Sequence, residues 1–282
     1  MKKFNYTIFT FIILLFFGCK GSDQSKKDIE KDLIYSEDSP NKMLSNAYEL
    51  FQQGNDKESI ELANKVLEIG KKTNNDTLVG KALTSLCRNS QRKLDTIRLA
   101  ELSEELINLS NSSGDKQWLM YQAHMNAEMW RLIGNMDKAE SYYTQSMEIS
   151  NEIGAKGMYM IDHFNKSFVA TSKGDFNSAR DLIKKYYELR KQMKRNPEDA
   201  YGLIALAYLL EKEGNYEGAI EVSTVIRRLF KEQNVFPEPP DEKPLLFVEK
   251  STDKKVDKIS RNEIIERSYN ESVNSLLNKY LL

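Results

Sequence analysis

The stretch RLIGNMDKAESYYTQSMEIS, residues 131–150, joins two segments of helical apolar periodicity through Gly134 and Asn135. A glycine can adopt the left-handed backbone conformation that ends a helix. An asparagine after it can accept hydrogen bonds from the first free amides of the next helix. Ala139, five residues after the glycine, is small enough to let the two helices approach closely. The stretch therefore predicts a helical hairpin.

The same pattern recurs along the chain with a period of 40 residues. A glycine column, in which leucine replaces one glycine, comprises Gly54, Leu94, Gly134, Gly174 and Gly214. The next position always holds Asn or Asp: Asn55, Asp95, Asn135, Asp175 and Asn215. Mostly small residues lie seven before the column (Ala47, Cys87, Ala127, Ser167 and Ala207) and five after it (Ser59, Leu99, Ala139, Ala179 and Ala219). Residues 40–234 are therefore predicted to form five helical hairpins. Leu94 predicts a second turn that is either strained or differently shaped.

The small–glycine–small spacing resembles that of the tetratricopeptide repeat. It is present as Ala127–Gly134–Ala139 with Tyr143, as Ser167–Gly174–Ala179 and as Ala207–Gly214–Ala219. The period exceeds the usual one of about 34 residues and is similar to an extended variant found in bacterial regulatory and sensor proteins. The resemblance implies an all-α, right-handed superhelical solenoid whose concave groove binds a protein or peptide. It also implies that Tyr143 fills a scaffold position inside its hairpin.

The resemblance assigns the groove to one face of each first helix. The residues transferred by register are Tyr121, His124, Glu128, Arg131, Ile161, Phe164, Phe168, Tyr201, Ile204, Tyr208 and Glu211. Aromatic rings flanked by a few charges suit an extended peptide or a partner helix. The alternative is that these rings pack between adjacent hairpins.

The N-terminus predicts an exported, lipid-anchored protein. Lys2 and Lys3 precede an apolar run of about 14 residues, against about 20 for a membrane-spanning helix. The run ends in Gly18–Cys19, which resembles a bacterial lipoprotein cleavage box, although Phe16 stands where leucine is usual. We expect a signal peptide at 1–18, lipidation of Cys19, a polar tether at 19–39 and a cell-envelope location. An uncleaved anchor or a plain secretory signal is the alternative.

The C-terminal part differs in composition from the repeats. Residues 235–257 contain four of the six prolines in the chain, which predicts a linker that no helix crosses. Apolar spacing resumes afterwards and predicts an amphipathic helix at 258–282. This helix either caps the last hairpin or is free to bind a partner, and we expect capping.

The composition and motifs disfavour several functional classes. A net charge of −1 gives no electrostatic reason to expect nucleic acid. No G-x-S-x-G elbow, phosphate-binding loop or H-E-x-x-H motif is present, which predicts a protein without catalytic residues, metal or cofactor. His124 and His163 occupy neighbouring slots of adjacent repeats and are expected to be structural. If Cys19 carries lipid, Cys87 has no partner for a disulfide bond.

The sequence therefore predicts a non-enzymatic, membrane-anchored scaffold that holds a protein or peptide partner. The alternative is an extracytoplasmic sensory module that acts through a separate signalling protein. Two tripeptides that begin at Asp76 and Asp95 resemble an O-glycosylation sequon of exported Bacteroidetes proteins, with Thr77 and Thr96 as acceptors.

Overall fold

The computed structural model describes residues 39–234, 237 and 239–281, and this part of the chain contains thirteen helices and no strand. In chain order they are α1 (Pro40–Gln52), α2 (Asp56–Thr73), α3 (Asp76–Arg92), α4 (Thr96–Ser113), α5 (Lys116–Ile133), α6 (Met136–Glu152), α7 (Lys156–Ser172), α8 (Phe176–Gln192), α9 (Ala200–Lys212), α10 (Tyr216–Gln233), α11 (Pro239–Lys255), α12 (Lys258–Ser268) and α13 (Val273–Tyr280). The predicted signal peptide, Cys19 and the tether as far as residue 38 lie outside the described residues.

The turns between the repeat helices recur every 20 residues. Each contains one residue with a positive φ, at positions 54, 74, 94, 114, 134, 154, 174, 194, 214 and 234. Six of these ten residues are glycine, which adopts this conformation without the steric penalty of a side chain. The 40-residue repeat is therefore two half-repeats of equal length, each made of one helix and one left-handed turn.

Leu94 adopts the same turn as the glycines of its column. Its φ is 55°, its N–H donates to the Gln91 carbonyl at 3.0 Å, and the Asp95 N–H donates to the Ser90 carbonyl at 2.9 Å. The Gly134 and Asn135 amides make the corresponding bonds to Arg131 and Trp130. Of the two predicted outcomes, a strained turn is therefore the correct one.

The Asn and Asp residues after the column cap the following helices, as predicted, in four of five repeats. In these four the side-chain oxygen accepts from the backbone N–H three residues later; they are Asp95, Asn135, Asp175 and Asn215. Asn55 makes no such bond. These caps satisfy amides that a helix start leaves without an intrahelical partner.

The hairpins stack into an all-α repeat solenoid. Each repeat helix packs against the next in the chain, and the first helices of successive hairpins also contact one another. We call these first helices, α1, α3, α5, α7 and α9, the inner helices. The small-residue columns lie at the closest approaches, because all ten positions are at most 1% exposed. A larger side chain at these positions would push the helices apart.

The prediction of a linker at 235–257 is wrong, because most of this segment forms α11. Pro239 and Pro240 lie in the first turn, where the missing N–H would have no helical partner anyway. Pro244 removes only one internal hydrogen bond, and the helix continues through it. Leu245, Val248 and Thr252 are fully buried, and α11 contacts α9 and α10 and also reaches α3. It therefore packs as a sixth inner helix.

The C-terminal segment forms two short helices, α12 and α13, where the apolar spacing predicts a single one. Asp257 caps α12 and Ser272 caps α13, so the chain contains two separate helix starts. Both helices contact α10, as the capping alternative expects. The buried Glu221 carboxylate of α10 accepts from Lys279 Nζ at 2.7 Å and from the Tyr280 hydroxyl at 2.6 Å, which holds α13 in place.

The strained turn gives a direct test of the repeat. Replacing Leu94 with glycine removes the left-handed penalty of about 1–2 kcal/mol but adds unfolded-state entropy. We expect a net gain of about 0.5–1 kcal/mol in the free energy of unfolding, measured by urea denaturation.

The matched control is Gly134→Leu, because no atom lies within 4 Å of a Cβ built at this glycine. It should destabilise the protein by about 1 kcal/mol through backbone strain alone. Equal stability of both variants and the wild type would contradict the shared turn conformation.

Candidate partner-binding site on the inner helices

One slot of each inner helix, six residues before the glycine column, holds a row of large side chains. The row comprises Tyr48, Arg88, Glu128, Phe168 and Tyr208. The Arg88 guanidinium lies 5.5 Å from the centre of the Tyr48 ring, and the rings of Phe168 and Tyr208 are 5.7 Å apart. Side chains of successive repeats thus stack on one another within the inner layer.

Glu128 is part of a buried polar cluster and is not available in a groove. Its carboxylate accepts from Arg131 Nη2 at 2.6 Å and from the Tyr143 hydroxyl. Burial alone raises the pKa of Glu128, but Arg131, His124 and the Tyr143 hydroxyl together outweigh burial, and the pKa lies below its ordinary value. Burial also raises the pKa of Tyr143 well above its ordinary value. The carboxylate is therefore ionised and joins the two helices of the third hairpin.

His124 joins the third repeat to the fourth. Its Nδ1 lies 2.6 Å from Asp162 Oδ1, and both residues are buried. Burial alone lowers the pKa of His124, but the Asp162 carboxylate and its hydrogen bond reverse this effect, so the pKa lies above its ordinary value. This ion pair crosses between α5 and α7.

His163 does not share a site with His124. Its Nδ1 lies 2.7 Å from the Tyr159 carbonyl oxygen, and the Tyr159 ring packs against it at 4.5 Å. Burial lowers the pKa of His163. Among the described residues no group of three His, Cys, Asp or Glu side chains could hold a metal ion.

The aromatic residues assigned to the groove of the fourth repeat pack between hairpins. The Phe164 ring contacts those of Phe168 at 5.1 Å and Tyr186 at 5.5 Å, and both phenylalanines are buried. Ile161 is exposed, whereas Ile204 in the fifth repeat is fully buried. The prediction that Phe164 and Phe168 face a partner is therefore wrong. Residues of the neighbouring inner helix and of the outer helix cover both rings, as the packing alternative expects.

In the fifth repeat the assigned groove residues contact their own chain. The Tyr208 ring packs on Phe247 of α11 at 5.8 Å, and Glu211 accepts from Ser251 Oγ at 2.6 Å. Tyr201 is half-buried against Phe230 at 5.4 Å. The sequence analysis expects an open groove here because it takes the proline-containing segment for a linker, whereas this segment forms α11 and packs on the inner layer.

Three inner-layer side chains in repeats 1–3 remain accessible. Tyr48 is 39% exposed, while Arg88 and Tyr121 are half-buried. The described part of the chain gives them no hydrogen bond or ion pair; the Arg88 guanidinium lies over the Tyr48 ring, and the Tyr121 ring stacks on that of Trp118 at 6.1 Å. Of these, the repeat register assigns only Tyr121 to the groove. Tyr48 and Arg88 could have been found by subtracting 80 and 40 from the position of Glu128.

A cavity of about 310 Å³ lies between α10, α11 and α12. Its arginines are engaged, since Arg227 pairs with Glu242 and Glu249, and Arg261 pairs with Asp253. These pairs connect the last helices to the solenoid, and the cavity offers weaker support for a site than the accessible inner residues.

No protein-family model matches the chain, and no curated protein sequence matches it. Within the described residues, none of the helices combines the length and apolar character that crossing a membrane requires.

The two histidines should titrate on opposite sides of the ordinary value of about 6.5. Their imidazole signals, followed by NMR and assigned with His163→Gln, should give His124 the higher pKa. Titration of both at the ordinary value would contradict the buried ion pair.

The stability of the protein should follow the same signs. His124 contributes stability that is present at low pH and lost as pH rises through its raised pKa. His163 contributes in the opposite direction, because its pKa is lowered. In His163→Gln the free energy of unfolding should therefore fall as the pH rises above about 6.5, and it should fall less in the wild type. The lowered pKa of Glu128 affects only a more acidic range.

Proposed function

We propose that this protein is a non-enzymatic scaffold of the tetratricopeptide kind that binds a protein or peptide partner on the inner helices of repeats 1–3. The observation that carries the proposal is the set of Tyr48, Arg88 and Tyr121, whose polar groups have no hydrogen-bond or ion-pair partner in the described residues. Tyrosine and arginine are also the residue types most often found at energetic centres of protein interfaces.

The contrast with the later repeats supports this location. In repeats 4 and 5 the Phe168 ring is buried, Glu211 accepts a hydrogen bond from α11, and Phe247 of α11 packs on Tyr208. A partner at repeats 4 and 5 would have to displace these contacts. At repeats 1–3 it would gain hydrogen bonds to Tyr48, Arg88 and Tyr121, for which the described residues supply no hydrogen-bond partner.

The chemistry of the site favours a partner with an acidic group. The Arg88 guanidinium pairs with no carboxylate of the described residues, and arginine forms its strongest hydrogen bonds with carboxylates in a two-pronged geometry. The Tyr48 ring under the guanidinium restricts its motion, so less entropy is lost when the partner binds. The two tyrosines offer flat apolar surface beside it.

Photo-crosslinking in cells tests this site even though the partner is unidentified. A benzophenone amino acid in place of Tyr48 should crosslink one discrete protein. The same group in place of Tyr269, which is similarly exposed but follows α12, should not. Adding Arg88→Glu should reduce the crosslink at position 48 by roughly 30-fold, the effect of losing one interface hot spot of about 2 kcal/mol. Equal crosslinking at both positions, or insensitivity to Arg88→Glu, would refute the proposal.

We also propose that the protein is anchored in the cell envelope by lipid on Cys19, at the outer membrane or the periplasmic face. The apolar run that ends in Gly18–Cys19 supports this, and the polar residues that follow suit a tether. Radiolabelled palmitate should label the wild type and not Cys19→Ala. Labelling that persists in the variant would rule out this anchor.

A further inference from the structure

The residues that flank the glycine column form one edge of the solenoid, where each inner helix turns into its outer partner. In repeats 3 and 4 this edge is joined by an ion pair, with Lys173 Nζ lying 2.7 Å from Asp137 Oδ1. In repeats 4 and 5, Arg180 Nη2 lies 2.6 Å from Glu213 Oε2. The residue just before the glycine column of one repeat therefore contacts the preceding repeat. There it lies close to the residue three or six positions after the glycine column of that preceding repeat. We call this line of residues the turn edge.

The turn edge changes character between repeats 2 and 3. Ile133 and Ile97 occupy the positions equivalent to Lys173 and Asp137, so the two isoleucines are expected to lie side by side. They are 53% and 76% exposed, and Leu94 beside them is 44% exposed. Elsewhere in the five repeats, the residue just before the glycine column and the residue three after it are polar: Gln53, Lys57, Lys93, Asp137, Lys173, Asn177, Glu213 and Glu217. Three exposed aliphatic side chains thus interrupt an otherwise polar edge.

The second turn does not require the Leu94 side chain. Leu94 adopts a left-handed conformation. The four other repeats have glycine at this position, and glycine adopts this conformation without strain. Its side chain projects toward solvent. Strain retained at an exposed position indicates a role that is separate from packing.

Two lysines lie next to the aliphatic cluster. Lys93 and Lys57 occupy the positions that Lys173 and Asp137 hold between repeats 3 and 4, so we expect two ammonium groups side by side where that junction has an ion pair. Both are accessible to solvent, and in the described part of the chain neither has an ion pair. The nearby carboxylates of Asp95 and Glu101 are engaged, one as a helix cap and one with Arg98.

We propose that the turn edge of repeats 1–3 docks onto an anionic lipid bilayer, with Leu94, Ile97 and Ile133 in the interfacial region and Lys57 and Lys93 against lipid phosphates. The aliphatic side chains protrude from turns, and a bilayer accommodates such protrusions, whereas a peptide needs a concave surface to bury it. The ammonium groups of Lys57 and Lys93, which have no ion pair among the described residues, complement the phosphates of an anionic bilayer beside the aliphatic side chains. The docking orients the inner helices relative to the membrane.

A solvatochromic dye tests the orientation in the full chain. The dye is attached to Ile97→Cys in a Cys19→Ser background, in which the remaining thiol, Cys87, is fully buried. The matched control carries the dye at Asn177→Cys, the equivalent exposed position of repeat 4. Because both proteins have the same N-terminal segment, any attachment to vesicles through that segment is equal in both.

Vesicles of phosphatidylcholine with roughly one third phosphatidylglycerol should shift the emission at position 97 to shorter wavelength and leave position 177 unchanged. Pure phosphatidylcholine should give a shift less than about half as large, and Lys57→Glu with Lys93→Glu should abolish the charge dependence. An equal shift at 177, no shift at 97 while the protein co-sediments with vesicles, or a concentration-dependent shift without vesicles would each overturn the proposal. The last result would assign the edge to a second copy.

Discussion

A left-handed turn residue every 20 positions is the constraint that sets the geometry of every repeat. Each turn ends one helix at the same place in the period, and Asn or Asp caps most of the helices that follow. This constant period brings the small residues at the two crossing columns together in every hairpin. The turns alone leave each hairpin with an uncovered apolar face, and stacking on the neighbours buries it. Fold stability in such a stack is the sum of many similar local contacts.

The sequence predicts the parts of the fold that depend on this period, and it fails where another effect decides the outcome. Glycine and Asx residues make the turns within hairpins visible, whereas the turns between hairpins include Asn74 and Lys194 and give a weaker signal. The helix α11 is missed because a count of prolines does not show where each one lies in a helix. Burial of residues such as Phe164 and Glu128 could not be predicted, since register assigns a face but not its covering neighbours. The Leu94 turn shows that backbone context can impose a conformation that its side chain disfavours.

The inner layer divides into two regions with different chemistry. From His124 onward its polar groups bind one another or α11, through pairs such as His124–Asp162 and Glu211–Ser251. These contacts stiffen the stack and connect it to the C-terminal helices. In repeats 1–3, Tyr48, Arg88 and Tyr121 have no comparable partners among the described residues. If the turn edge of the same repeats lies on a membrane, as we propose, partner binding and membrane docking concern the same end of the solenoid, while the other end is structural.

The continuation of the inner layer through α11 matters most for function, because it removes repeats 4 and 5 from the binding surface. Amide hydrogen exchange of the full chain measures this continuation. The amides of Leu245, Val248 and Thr252 should exchange as slowly as those in the middle of α9, since all lie in buried helical segments. Exchange of residues 241–255 at the rate of an unstructured peptide, with α9 protected, would refute the sixth inner helix and restore the later repeats as an open groove.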